Sequence, residues 1–325
     1  MPQECYKMQA TILVTYLITC GDRIAGLGVE IRAKPYLILF IGVVSVSFAA
    51  IFIRLAEAPP LVIATYRLGI ASLVLIPFFL ARSKKAFKRL ARSDILLMFL
   101  SSLFLAVHFA LWITSLSYTS IASSVILVTS NPLFVALLSY FLWKERLTRP
   151  MLLGILVVLA GAVLITGGGI TISSDTLLGD GLALLAALAV GAYLIIGRQL
   201  RSRIDIGSYL TVIYSGAAVM LLVATLVAGY SLTGYSSFTY IMLILLAVVP
   251  QLIGHSSLNI ALRLIPVTFV AVAILGEPVG ATILGYFILD EMPTWVEIVG
   301  GLLILGGIFM VLRQGPERLG GETYK

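Results

Sequence analysis

Two stretches of this chain decide its fold, because NPLFVALLSYFLWKE at residues 131–145 is echoed by EPVGATILGYFILDE at residues 277–291. The echo continues without a gap over residues 116–163 at a constant offset of 146 residues. Its landmarks pair Asn131-Pro132 with Glu277-Pro278, Tyr140 with Tyr286, Glu145 with Glu291, Gly154 with Gly300, and Gly161 with Gly307. Self-similarity at a fixed offset is typical of structural repeats, so the chain is predicted to have two equivalent halves.

Composition places both halves in a lipid bilayer. Hydrophobic residues make up 60% of the 325 residues and charged residues 11%, whereas soluble domains have about 45–50% and about 25%. A helix needs about 20 mainly apolar residues to cross a bilayer. Ten such runs lie near residues 36–55, 60–81, 95–117, 119–142, 151–169, 181–198, 206–229, 238–261, 266–289 and 294–312. The predicted fold class is an all-α integral membrane protein with ten transmembrane helices.

The distribution of basic residues predicts the orientation of these spans. Lys and Arg collect in the cytoplasmic loops of membrane proteins, and the loop after span 2 holds six of them from Arg82 to Arg92. Placing this loop in the cytoplasm puts 20 of the 22 basic residues on the same side, together with both termini. Because each half has five spans, an odd number, the second half is predicted to be inverted relative to the first.

The predicted organisation has four segments in a multi-pass protein of the cell membrane. Residues 1–34 form an interfacial or disordered extension, since the apolar run Ala10–Cys20 is too short to span the bilayer. Residues 35–170 and 179–313 are the two repeats, and residues 314–325 form a cytoplasmic tail.

These motifs resemble the drug/metabolite transporter superfamily and, within it, the EamA-type transporters. The resemblance rests on the segment Ala122–Gly161 with Asn131-Pro132-Leu133-Phe134 and Trp143-Lys144-Glu145-Arg146-Leu147, on its echo Gly276–Gly307, and on Thr65-Tyr66-Arg67 in span 2. It implies two five-helix repeats and an activity in transport. Members include exporters of amino acids and other metabolites, so the resemblance names neither the cargo nor the direction of transport.

Two charged residues lie within the predicted spans. Arg67 is about seven residues into span 2, roughly 10 Å below the outer surface, and Glu277 is near the middle of span 9. Ionisable side chains inside a membrane face the bundle interior and find a partner. Arg67 could therefore bind an anionic group of the cargo, or pair with a carboxylate or with helix-end carbonyls. Glu277 could carry a coupling proton, contact cargo, or simply be tied to Arg67 or to a neighbouring hydroxyl group.

Two prolines predict helix breaks at equivalent positions in the two repeats. Pro132 follows Asn131 in span 4, and Pro278 follows Glu277 in span 9. Each proline removes a backbone donor, so the carbonyl four residues earlier loses its usual partner. Paired broken helices are the best sequence indicator of a transporter binding site, although simple bending for packing is the alternative. Asn131 and Glu277 are candidate cargo contacts on this ground.

Aromatic and histidine side chains complete the predicted cavity. His108 and Trp112 lie one helical turn apart in span 3 and share a face. Histidine could exchange a proton near neutral pH, or it could be a hydrogen-bonded residue of the packed bundle. Tyr193 and Tyr214 are further candidates for the cavity wall, whereas His255 is expected close to the cytoplasmic end of span 8, in contact with water or headgroups.

Several classes of function are excluded by what the sequence lacks. It has no phosphate-binding loop for ATP, no Cys-x-x-Cys, and two histidines far apart, so neither a cofactor nor a metal is predicted. The basic residues lie between apolar runs, which disfavours nucleic acid as a partner. We therefore predict a secondary active transporter, an exporter of small metabolites or amino acids that works by alternating access, with proton coupling as an option. A passive channel is the alternative, and an intramembrane enzyme is disfavoured.

Small residues predict close packing of the spans. Gly154 and Gly161 in span 5 are seven residues apart on one helix face, and Gly300 and Gly307 repeat this spacing in span 10. Small residues allow helix backbones to approach each other in membranes. Packing between spans is the favoured interpretation, and a homodimer through spans 5 or 10 stays open as an alternative. The other expected partners are the lipid bilayer, the cargo and, for the coupled mechanism, protons.

Overall fold

The computed structural model describes residues 34–82, 91–143, 149–167, 173–201, 204, 206–264, 270 and 273–312. Within these residues every regular element is a helix, which confirms the all-helical prediction for this part of the chain. The α-helices are α1 Lys34–Ser47, α2 Ala49–Leu55, α3 Pro60–Arg82, α4 Arg92–Ser115, α5 Ile121–Val128, α6 Asn131–Trp143, α7 Arg149–Gly167, α8 Ser174–Arg201, α9 Ile206–Val227, α10 Ser237–Leu246, α11 Ser256–Leu264, α12 Gly276–Leu289 and α13 Trp295–Leu312. A π-helix, Ala247–His255, joins α10 to α11. The predicted N-terminal extension, except Lys34, and the predicted tail lie outside the described residues.

Six helical stretches of the described chain are long and apolar enough to cross a membrane: Pro35–Leu55, Pro60–Pro77, Arg92–Ser115, Ser174–Gly197, Gly207–Val227 and Ser237–Ala261. Four further apolar helices are shorter: Ile121–Val135, Arg149–Ile165, Gly276–Leu289 and Trp295–Met310. Large hydrophobic side chains such as Phe40, Leu73 and Phe287 are exposed on the outside of the bundle. The protein is therefore a membrane protein, and the count of ten spans stays a prediction.

The break in span 4 is satisfied by its own side chains. Helix α5 ends at Val128 and α6 begins at Asn131, so Pro132 lies in the first turn of α6, where its missing N–H breaks no helical bond. Thr129 Oγ1 donates to the Val125 carbonyl and Ser130 Oγ to the Leu127 carbonyl, both at 2.6 Å. Asn131 Nδ2 donates to the carbonyl of Val128 at 3.4 Å. The Val125 and Leu127 carbonyls also accept the backbone N–H groups of Thr129 and Ser130, so Asn131 is the residue that serves the carbonyl facing the missing N–H of Pro132.

The equivalent break lies just before Pro278. Helix α12 begins at Gly276, which places Pro278 in its first turn. Thr282 Oγ1 donates to the Pro278 carbonyl at 2.8 Å, and Ser47 Oγ of α1 donates to the Glu277 carbonyl at 3.4 Å. This second break is therefore supported partly by a neighbouring helix.

Helices α7 and α13 form the closest helix pair of the described bundle. A Cβ atom added to Gly161 would lie 2.7 Å from the carbonyl oxygen of Gly300, and one added to Gly307 would lie 2.6 Å from that of Gly154. Increasing residue number on α7 is thus matched by decreasing number on α13, so the two helices run antiparallel. The offset of 146 residues also relates the two contacts to each other. Gly161 corresponds to Gly307 and Gly154 to Gly300, so the pair Gly161–Gly300 is equivalent to the pair Gly307–Gly154.

This packing predicts that Gly161→Ala destabilises the protein, whereas Gly306→Ala on α13 does not. The new methyl group at position 161 would meet backbone atoms that cannot move aside, and overpacking costs about 1–3 kcal/mol. Nothing lies within 4 Å of a Cβ at Gly306. Thermal unfolding of the detergent-purified variants measures the difference, and equal midpoints for both variants and the parent protein would contradict it.

Candidate functional site

Arg67 on α3 is completely buried, with 0% of its side chain exposed. Its Nε donates to Gln251 Oε1 at 2.7 Å, and its Nη2 lies 3.2 Å from His255 Nε2. Both partners belong to the π-helix, and they replace the carboxylate or helix-end carbonyls that the sequence led us to expect. A full positive charge in an apolar bundle is thus held by two side chains that carry no full negative charge.

The π-helix explains how both partners reach Arg67. Pro250 lies inside this helix and cannot donate a backbone hydrogen bond, which favours a local departure from α-helical geometry. Gln251 and His255 are four residues apart and lie on the same side of the helix. Segments of π-helix occur frequently at functional sites.

Aromatic rings cover the guanidinium group. Its central carbon, Cζ, lies 4.2 Å from the centre of the Phe109 ring and 5.5 Å from that of Trp112. His108 stacks on Trp112 with their centroids 6.1 Å apart, and Phe109 meets His255 edge-on at 6.3 Å. A cation over an aromatic face is stabilised by the ring quadrupole. We call Arg67, Phe109, Trp112, Gln251 and His255 the central cluster.

Glu277 and Tyr214 flank the central cluster. Glu277 is close enough to Arg67 for electrostatic attraction, but the two form no ion pair within 4.0 Å among the described residues. Tyr214 is buried and hydrogen-bonds to Gln251. These two predicted site residues therefore border the same centre as Arg67 and Trp112.

The ring of His108 contacts both the central cluster and a backbone carbonyl group. Its Nδ1 lies 3.0 Å from the carbonyl oxygen of Ala186 on α8, which requires Nδ1 to donate the proton. The other ring nitrogen, Nε2, is thereby left as the acceptor in the neutral imidazole. The hydrogen bond agrees with the interpretation of His108 as a residue of the packed bundle, and proton exchange by its ring stays a prediction.

The remaining predicted site residues, Asn131 and Tyr193, have described contacts outside the central cluster. The Asn131 side chain bonds to Val128 in its own helix break. Tyr193 is buried and stacks on Tyr209, with centroids 6.5 Å apart. The structure thus brings Arg67, His108, Trp112, Tyr214 and Glu277 together and leaves Asn131 and Tyr193 with other neighbours.

The contacts of His255 with the central cluster were not predicted, and Gln251 was missed. His255 is half-buried and lies against Arg67 and Phe109. Its depth was judged by counting residues, which ignores the irregular π-helix and the length of the Arg67 side chain. The sequence did carry a signal, namely Pro250 in an apolar run followed by two polar residues one turn apart.

A separate apolar groove opens on the outside of the bundle. It has a volume of about 180 Å³ and is lined chiefly by residues of α5, α12 and α13, including Ile126, Pro278, Ile283, Gly301 and Leu305. Within the described residues, no group of three or more His, Cys, Asp or Glu side chains is placed to hold a metal ion.

Comparison with known proteins agrees with the architecture. A protein from Archaeoglobus fulgidus named as an uncharacterized transporter is 25% identical over 81% of this chain and 91% of its own length. Uncharacterized transporter YdfC of Bacillus subtilis is 25% identical over 83% of this chain and 87% of its own. A solved crystal structure shares the fold, with a TM-score of 0.62 and 20% identity over 87% of this chain and 98% of that one.

A family model gives the most complete match. The EamA-like transporter family matches residues 33–167 and again residues 177–313, one match for each half of the sequence. The two matches together cover most of the chain, and the relatives are named as transporters. The chain therefore belongs to the EamA-like transporter family of membrane proteins.

Proposed function

We propose that the protein is a secondary active transporter that moves a small molecule across the cell membrane by alternating access. Its ten spans form two inverted five-helix repeats with both termini in the cytoplasm, and its cargo is a small metabolite or an amino acid carried outwards. The observation that carries this proposal is the completely buried Arg67, held at the meeting point of both halves without an ion-pair partner among the described residues. Intramembrane charges of this kind mark substrate and ion pathways.

The central cluster draws on both repeats. Arg67, Phe109 and Trp112 come from the first half, whereas Gln251 and His255 come from the second. Transporters built from repeats place their binding sites at the repeat interface. A cluster that needs both halves is also one that a relative movement of the halves can assemble and take apart.

Two symmetric contacts support inversion of the repeats. The equivalent helices α7 and α13 run antiparallel in their glycine contact, as inverted repeats require. Phe109 and His255 are also separated by the offset of 146 residues, and their rings touch within the central cluster. Contact between equivalent residues is expected where a pseudo-two-fold axis passes.

A passive channel is the second candidate, and the burial of the cluster argues against it. Arg67 and Trp112 are 0% and 4% exposed, so these two side chains do not line an open aqueous pore in this conformation. A carrier that alternates between two open states passes through a closed centre of this kind. Proton coupling is the energy source we propose, with Glu277 and His108 as the groups that would exchange the proton.

The proposal predicts saturable, gradient-driven transport in sealed vesicles. Purified protein in proteoliposomes should carry at least one member of a panel of radiolabelled amino acids and metabolic acids, and an imposed proton gradient should change its rate. Glu277→Gln and His108→Ala should each reduce the gradient-driven rate by about tenfold or more, a loss of roughly 1.4 kcal/mol in the coupled step.

Glu57→Gln is the matched control, because Glu57 is an exposed carboxylate between α2 and α3. It should keep the parent rate. Flux that does not saturate and ignores the gradient would indicate a pore instead of a carrier. If both site variants kept the parent response to the gradient, proton exchange at these two side chains would be refuted.

A further inference from the structure

Two hydrogen-bond donors in the central cluster have no acceptor among the described residues, namely Nη1 of Arg67 and Nε1 of Trp112. Both side chains are buried. The guanidinium carbon lies 5.5 Å from the centre of the Trp112 ring, so the two side chains that carry these donors are direct neighbours. An unsatisfied buried donor costs about 1–3 kcal/mol, and a charged donor costs more.

The chemistry of these donors defines the group that would satisfy them. Guanidinium and indole groups only donate hydrogen bonds, so the ligand must supply acceptors. Gln251 and His255 already occupy Nε and Nη2, which leaves Nη1 for the ligand. Arginine binds planar carboxylates and phosphates especially well because its charged donors match their oxygen atoms.

Charge favours a carboxylate over a phosphate. Among the described residues of the central cluster, Arg67 is the single lysine or arginine, and Glu277 nearby carries a carboxyl group. A phosphate with two negative charges would add more anionic charge than one arginine can balance in an apolar bundle. A singly charged carboxylate is closer to balance.

We infer that Arg67 and Trp112 hold a carboxylate of the ligand, through Nη1 and Nε1 respectively. The inference rests on the proposed function only in calling this ligand the cargo. Phe109 and the face of Trp112 provide apolar walls beside the carboxylate. The ligand class is therefore a small carboxylic acid or amino acid whose carboxylate is free and whose remainder is apolar or aromatic.

Matched pairs of acids and amides test this inference without any transport. The probes are 4-methylpentanoate with 4-methylpentanamide, and phenylacetate with phenylacetamide, added near neutral pH to the full chain in detergent. At least one acid should raise the unfolding temperature, while its amide, equal in shape, should not. Arg67→Gln should weaken acid binding by about tenfold or more, and Trp112→Phe should weaken it less. Arg149→Gln, at an exposed site on α7, should leave it unchanged.

Several results would overturn the inference: no effect of either acid, equal effects of acid and amide, or full acid binding by a folded Arg67→Gln variant. Failure of the proposed function would look different. Acids that bind but are not carried in proteoliposomes would uphold the carboxylate site and reject the transporter. If the protein carried a cargo that has no carboxylate, and neither acid raised the unfolding temperature, the transporter would be upheld and the carboxylate site rejected.

A second group of polar contacts lies at the end of the bundle that the charge distribution predicts to face outside. Glu291, between α12 and α13, accepts a hydrogen bond from the backbone N–H of Ile121 at 2.6 Å. Its Oε1 lies 3.7 Å from Nη2 of Arg54, which in turn donates to the Thr119 carbonyl at 2.8 Å. A carboxylate at the first N–H of α5 is also favoured by the helix dipole.

Glu297 extends these contacts along α5. Its Oε1 accepts from Ser123 Oγ at 2.9 Å and from Ser120 Oγ. Its Oε2 accepts from the N–H and the hydroxyl of Thr294, at 2.7 and 2.9 Å, which fixes the carboxylate at the start of α13. We call Arg54, Ser120, Ser123, Glu291 and Glu297 the outer clamp.

The outer clamp joins the two repeats. Arg54, Ser120 and Ser123 belong to the first half, whereas Glu291 and Glu297 belong to the second. We propose that these contacts form a gate that closes the outer end of the bundle over the central cluster. If the two halves separate at this end, the contacts of the outer clamp must break together, since Glu291 and Glu297 lie on one short segment.

Labelling of a buried cysteine tests the gate without a cargo. In a background with Cys5 and Cys20 replaced by serine, Phe109→Cys places a thiol beside Arg67. A membrane-impermeant maleimide added outside sealed right-side-out vesicles should label it slowly. Arg54→Gln/Glu291→Gln should raise the labelling rate by roughly tenfold, since both charged side chains of the clamp contact are lost. Ser123→Ala should raise it less, and Glu57→Gln not at all.

Equal labelling of the clamp variant and the Glu57→Gln control, with both proteins shown to be folded by size-exclusion chromatography, would overturn the gate. Rapid labelling with the clamp intact would do the same, because the outer end would then be open. If the clamp variant is labelled faster but the parent protein carries no cargo in proteoliposomes, the gate is upheld and the transporter is rejected.

Discussion

A positive charge that is completely removed from water organises the centre of this bundle. Burying an arginine in a membrane is expensive, and the expense is reduced only by neighbours that solvate it in place of water. Gln251 and His255 supply hydrogen-bonding atoms, and Phe109 and Trp112 supply aromatic faces. These groups come from two helical segments, α4 and the π-helix, so the position of Arg67 on α3 constrains how the three segments can pack together.

The irregular helices are placed where polar groups are needed. In span 4, three consecutive polar side chains satisfy the carbonyls around the break before Pro132. In span 8, Pro250 coincides with the π-helix that presents Gln251 and His255. Lipid cannot satisfy the backbone groups that an irregularity leaves, and in span 4 the Asn131 side chain takes the Val128 carbonyl that Pro132 cannot serve.

Much of the fold and part of the site could be predicted from the sequence. The 146-residue offset indicated two halves, and it anticipated the pairs of glycines that meet between α7 and α13. Arg67 and Trp112 were recognised because charge and indole are conspicuous in apolar spans. Gln251 and the contacts of His255 with the central cluster were missed, since residue counting assumes a regular rise per residue. The outer clamp was missed because it depends on contacts between segments about 170 residues apart, which no local pattern encodes.

The glycine contact between α7 and α13 also determines where lipid can enter. Backbone atoms of the two helices approach so closely that a single methyl group would collide, and an acyl chain is far wider than that. This side of the bundle is therefore sealed against lipid tails along the whole glycine seam. The apolar groove beside α5, α12 and α13 has about 180 Å³ of open space, so it offers a hydrocarbon chain the room that the glycine contact denies it.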